Sequence, residues 1–153
     1  SWSPRFVCVT GGEPLAQKSC WPLLTALCAA GYQVSLETSG AIDMAGIDSR
    51  VSKVMDFKTP GSGELQRNHY PNVQHLLMHD QVKFVICDEV DYRWAKSCVE
   101  KYALVEKVSD VLFSPSHATL NPAILADWIL QDCLKVRMQV QLHKYLWADA
   151  AGR

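Results

Sequence analysis

What this 153-residue chain lacks narrows its chemistry before anything else does. No stretch approaches the ~18 consecutive apolar residues of a membrane-spanning helix. The opening Ser1-Trp2-Ser3-Pro4-Arg5 has neither the basic nor the apolar region of a secretory leader, so a cytoplasmic location is expected. A formal net charge of −1 gives no electrostatic reason for a nucleic-acid partner. The six cysteines, at 8, 20, 28, 87, 98 and 133, include no C-x-x-C pair. This disfavours a closed zinc or iron–sulfur site built from this chain alone, and buried free thiols are expected. The five histidines form neither H-x-x-x-H nor H-E-x-x-H, which disfavours a histidine metal site. There is no G-x-S-x-G, no phosphate-binding Walker loop and no G-x-G-x-x-G, removing the esterase-like, nucleotide-hydrolysing and dinucleotide-binding readings.

What is present is an ordinary globular composition, 48% hydrophobic and 20% charged, with no internal repeat or linker. Short apolar or β-branched runs at 6–10, 33–37, 51–57, Gln81–Ile86, 110–113 and 136–141 read as strands. Helical patterns fall between them at 19–30, with Gly31 as its stop, and at 88–105, which begins with acidic residues. A third opens at Asn121-Pro122, an N-cap followed by Pro at the first helical position. Strand alternating with helix predicts a parallel sheet in one α/β domain covering 1–153. The long irregular stretch 59–71 is expected to be functional or mobile.

A parallel sheet gathers all strand C-termini at one edge, where α/β folds bind ligands. The first strand runs into Thr10-Gly11-Gly12-Glu13-Pro14, two bare backbone positions beside a carboxylate. The next strand ends deliver Glu37 and Ser39, then Asp56, Phe57 and Lys58, then Ser114, Pro115, Ser116 and His117. The last places His143 after a strand, where a neutral imidazole can donate or accept. Each of these is also ordinary turn or surface chemistry when taken alone. Together they describe a polar ligand edge suited to a zwitterionic, nucleoside-like molecule: carboxylates for an amine and a diol, and Lys58 for a carboxylate.

These residues carry a resemblance. The Gly11-Gly12-Glu13-Pro14 run resembles the GGEP motif of radical S-adenosylmethionine (SAM) enzymes. The combination of Val9-Thr-Gly-Gly-Glu-Pro14, Leu36-Glu-Thr-Ser-Gly40, Met55-Asp-Phe-Lys-Thr-Pro-Gly-Ser-Gly-Glu64, Asp80-Gln-Val-Lys-Phe-Val85, Leu112-Phe-Ser-Pro-Ser-His117 and Gln141-Leu-His-Lys-Tyr-Leu-Trp147 narrows it. Over nearly the whole chain it is similar to the 7-carboxy-7-deazaguanine synthases (QueE) of queuosine biosynthesis, a tRNA-modification pathway. The resemblance implies a partial (β/α) barrel of parallel strands. In the family, a [4Fe–4S] cluster reduces SAM to methionine and a 5′-deoxyadenosyl radical. That radical takes hydrogen from 6-carboxy-5,6,7,8-tetrahydropterin, which contracts to 7-carboxy-7-deazaguanine with loss of ammonia, a carbon–nitrogen lyase reaction aided by Mg²⁺.

Carried over by motif, the resemblance gives Gly11, Gly12, Glu13, Glu37, Ser39, Asp56, Phe57, Lys58, Ser114, Pro115, Ser116 and His117 to SAM. It gives Thr10 and His143 to the pterin. It also implies a reducing partner such as flavodoxin and a homodimer. The family's three-cysteine cluster motif precedes GGEP and has no counterpart here. The chain is therefore expected to be the C-terminal portion of a larger fold truncated at its N-terminus. Its cluster and Mg²⁺ ligands are expected upstream of Ser1, and it should be inactive alone. The alternatives are a cluster-less, non-catalytic ligand- or partner-binding domain, or another radical SAM activity such as an activase. A substrate-contacting C-terminus beyond Trp147 is a further family feature.

Overall fold

Six short strands, none able to satisfy its backbone hydrogen bonds alone, pair side by side in chain order. The computed structural model describes residues 4–147; the C-terminal tail considered for substrate contact lies outside them. The strands are β1 (Phe6–Val9), β2 (Gln33–Thr38), β3 (Ser52–Phe57), β4 (Gln81–Ile86), β5 (Asp110–Pro115) and β6 (Arg137–Met138). All neighbours are parallel and the sheet order is β1-β2-β3-β4-β5-β6. Right-handed crossovers between consecutive parallel strands put every connection on the same side. Buried side chains of α1 (Cys20–Ala29), α2 (Glu89–Lys101), α3 (Leu104–Lys107) and α4 (Pro122–Gln131) accordingly join one cluster with Leu36, Met55, Phe84 and Phe113 of the sheet. The result is an arc of a (β/α) barrel with one helix-covered face and one face free of that core.

Several boundaries differ from the sequence expectation, each for a local reason. The 88–105 helix is broken at Ala103, whose φ of 49° leaves the helical region, so α2 and α3 are separate. Asp88 caps α2 by accepting the Asp91 N–H at 2.9 Å. The last strand, expected over 136–141, shrinks to two residues, and α5 (Leu142–Trp147) begins after three intervening residues. His143 thus rides an exposed helix and does not follow a strand. The 59–71 stretch is not structureless: it contains 3₁₀ turns at Pro60–Ser62 and Leu65–Arg67 and the start of a third at Tyr70–His75. Buried Asn72 holds the chain nearby, donating to the Gly40 and Ile42 carbonyls and accepting from the Met44 N–H.

The thiols are only partly as expected. All six are free, but only Cys20, Cys28 and Cys98 are buried; Cys8 and Cys133 are exposed and Cys87 is intermediate. Cys8 is exposed because it points to the open face of β1, which has a strand on one side only. Burial pushes the Cys98 thiol up to about 11, against the opposing pull of Lys101. At the opposite end of the sheet from the ligand edge, Lys53 (2% exposed) pairs with Asp80 (0%) at 2.9 Å. The Asp80 carboxylate also accepts the Lys53 and Leu77 N–H groups, both at 2.7 Å.

Two outcomes are expected. Removing one partner of a buried pair leaves the other charge unmatched, so Asp80→Ala should lower the urea-measured unfolding free energy by about 3–5 kcal/mol. In native protein at pH 8, a disulfide-exchange reagent should modify Cys8 and Cys133 first and Cys98 last, resolved by peptide mass mapping.

Candidate functional site

The pleat turns alternate residues to opposite faces, and this sorts the strand-end candidates. On the open face, Glu37 stands opposite Val54 and Asp56 opposite Lys83. These four, with Thr10, Gly11, Gly12, Thr38, Ser39 and Lys58, line one cleft at the C-terminal edge of β1 to β4. Phe57, one residue from Asp56, faces the other way. It is 4% exposed and stacked on Phe84 at 5.3 Å between centroids, so it packs the core and does not line the cleft.

The glycine turn is shaped for close approach. Gly11 and Gly12 have φ of 103° and 56°, and a Cβ built at either meets nothing within 4 Å. Their backbone is therefore both left-handed and open to a ligand. Glu13 does something different. Its Oε1 accepts the Leu15 N–H at 3.1 Å, capping the turn at Pro14–Ala16, and the Thr38 hydroxyl at 2.9 Å. Its Oε2 accepts the Ser39 N–H at 2.7 Å and the Ser39 hydroxyl. These bonds tie the β1 loop to the end of β2 and occupy most of what a carboxylate can accept. Gly40 completes the turn: at φ 70° its Cβ position lies 3.0–3.1 Å from Met55 and the Asp56 carbonyl, so a side chain there would push β2's exit off β3.

The charges divide the cleft. Glu37 is exposed and accepts one bond, from the Thr10 hydroxyl at 3.1 Å. Across from it Asp56 lies between two ammonium groups, Lys58 at 3.2 Å and Lys83 at 3.7 Å. Lys58 is aligned through its backbone, which exchanges two hydrogen bonds with the Asn68 side chain at 2.9 and 2.8 Å. The next loop is pinned by Asp91, wholly buried, which accepts from the Gly61 N–H at 2.7 Å and the Cys87 N–H at 2.9 Å and lies 3.0 Å from the Thr59 hydroxyl.

The remaining candidates stand apart from this cleft. Ser114 is buried on the open face with an unpartnered hydroxyl, and Pro115 is buried beside it. The Ser116 N–H donates to Ile86, and the His117 ring meets Tyr145 of α5 edge-on at 5.6 Å. Sequence reasoning missed Thr38, Asn68, Lys83 and Asp91. Of these, Lys83 was detectable, since period 2 from buried Val82 and Phe84 puts it on the open face. Among the described residues no three His, Cys, Asp or Glu side chains gather as a metal site, so they do not fit an iron–sulfur cluster. No helix among them is long and apolar enough to cross a membrane.

No protein-family model matches the chain. It is 40% identical over 152 residues to the 7-carboxy-7-deazaguanine synthase of Koribacter versatilis, covering 91% of this chain and 67% of that protein. It is 43% identical over 148 residues to that of Chlorobaculum tepidum, covering 94% and 67%. The chain therefore spans about two thirds of the length of these relatives. QueE from Escherichia coli superposes with a TM-score of 0.62 at 18% identity, over 90% of this chain and 58% of that one, a likeness of fold. With relatives of one name matched over nearly all of its length, the chain belongs to the 7-carboxy-7-deazaguanine synthase family.

Proposed function

We propose that this chain forms the SAM- and pterin-holding part of a radical SAM synthase that makes 7-carboxy-7-deazaguanine from 6-carboxy-5,6,7,8-tetrahydropterin with release of ammonia. The observation that carries it is the divided cleft. Bare glycine backbone and Glu37 lie on one side, and two ammonium groups around Asp56 lie on the other. Family membership supplies the identity of the ligand. A zwitterion with a ribose suits this donor set: Glu37 and the Thr10 and Ser39 hydroxyls for amine and sugar, Lys58 for the carboxylate. Glu13 acts at one remove, holding the Gly11–Gly12 turn against Ser39.

When bound, SAM supplies the radical chemistry of the family. The chain's own residues bind and orient it on the rigid edge of a sheet, which is what positions a reacting group. Ser116 and His117, which follow β5 and stand apart from the cleft, are kept as SAM contacts on the motif alone. His143, carried on the exposed helix α5, is retained as a pterin contact on the motif, reached from a helix. Because the described residues offer no cluster ligands, the expected division of labour has this chain bind SAM without cleaving it. A reducing partner, Mg²⁺ and a homodimer belong to the complete enzyme on the same proposal.

Calorimetry should find SAM bound by the chain. Lys58→Met should weaken it by about tenfold or more, the loss of one charge-assisted hydrogen bond. Glu13→Gln faces an amide donor onto the Thr38 and Ser39 donors and should destabilise the fold by about 1–3 kcal/mol. Anaerobic reconstitution with iron and sulfide should leave the chain without cluster absorbance; turnover of the pterin by the 153-residue chain alone would refute this division of labour.

A further inference from the structure

Lys83 is the one charged group in the cleft that the SAM assignment leaves without a task. It is the third of six residues in β4, directly opposite Asp56 of β3. It therefore stands down on the open face, whereas Lys58 lies past the end of β3 at the level of the turns. Its side chain is 23% exposed, and its ion-pair partner among the described residues, Asp56, is 3.7 Å away. That is beyond hydrogen-bond length. Asp56 sits closer to Lys58, at 3.2 Å. Two half-buried ammonium groups thus share one carboxylate as ion-pair partner, a local positive surplus around Asp56, while the cleft's other carboxylate, exposed Glu37, is bonded to the Thr10 hydroxyl.

The layer below does not repeat this imbalance. There Asp110 accepts from Gln81 at 3.0 Å and meets Arg137 at 3.4 Å, one cation to one anion. A partly desolvated surplus charge is unfavourable unless something pairs with it. A ligand whose ammonium reaches Glu37 and the glycine turn meets Lys58 first, because both lie at the strand ends. The ammonium farther into the open face is left for a second, anionic molecule.

We propose that Lys83 is a ligand-contacting, specificity-determining residue that recognises the carboxylate on the pterin substrate. This rests on the function proposed above. Lys83 selects a carboxylated heterocycle over its uncarboxylated counterpart, and Asp56 holds it in place until the carboxylate arrives. Charge, more than the shape of the lysine, carries the preference.

Pterin fluorescence titration, with SAM present, tests it using 6-carboxypterin and pterin, stable compounds that differ only in the carboxylate. Wild-type chain should prefer 6-carboxypterin by about tenfold or more, the scale of a charged hydrogen bond. Lys83→Met should bring the two within about twofold of each other, and Lys83→Arg should keep most of the preference. SAM affinity by calorimetry should change less than about twofold in either variant, since Lys83 is not assigned to SAM. A preference that survives in Lys83→Met, or its absence in the wild type, overturns the assignment. So does an equal loss of SAM and both pterins in Lys83→Met. Failure of the wild type to bind SAM overturns the function proposed above as well, whereas SAM binding without carboxylate preference removes only the role of Lys83.

Discussion

The pleat of the parallel sheet is the constraint on which both core and cleft depend. Consecutive residues of β3 divide between the two faces: Lys53, Met55 and Phe57 are buried, while Val54 and Asp56 line the cleft. Their neighbours repeat the division in register, with Phe84 beside Phe57 and Lys83 beside Asp56. Because the strands follow one another in chain order, all crossovers fall on one side. The other face is then free to carry charge. A one-residue slip of β3 or β4 would put Asp56 or Lys83 among Phe84 and Phe113 and lose core and cleft together.

Around that sheet, buried carboxylates do most of the positioning. Asp80 joins β3 and β4 at the end away from the cleft, and Asp91 pins the loop after Lys58. Glu13, at the front, ties the first loop to the second. The two Asp side chains accept backbone N–H groups from segments distant in sequence, and Glu13 does so from Ser39. Ionised acceptors make the stronger hydrogen bonds, and a loop held by several of them keeps its shape without a ligand. The cleft is to that extent built in advance, and preorganisation of this kind reduces the ordering that binding must supply. The acidic residue of a ligand motif can thus serve as scaffold while a neighbouring carboxylate, here Glu37, remains available.

Legibility in the sequence followed the range of the interactions. The strand cores and the α4 start at Asn121-Pro122 were visible because alternation and capping are local. The shortness of the final strand and the existence of α5 were not, because 136–141 is apolar enough for a longer strand yet pairs with β5 through only two residues. The break at Ala103 left no trace, since alanine is a strong helix former and nothing in its type announces a φ of 49°. That the Phe57 side chain turns to the core was hidden because motif adjacency ignores the pleat, and Cys8 was misread because a buried environment was assumed for both faces of β1.

By itself the sequence determined the class of the fold, the edge on which ligand chemistry gathers and, through its motifs, the family, all of which depend on residue type at short spacing. Only the tertiary structure decided which face each residue takes, that Glu13 is turned inward onto Thr38 and Ser39, and that Lys83 joins Asp56 and Lys58 in the cleft. Those outcomes require strands more than 20 residues apart in the chain, β1 with β2 and β3 with β4, to meet in one register, and no local pattern encodes the meeting.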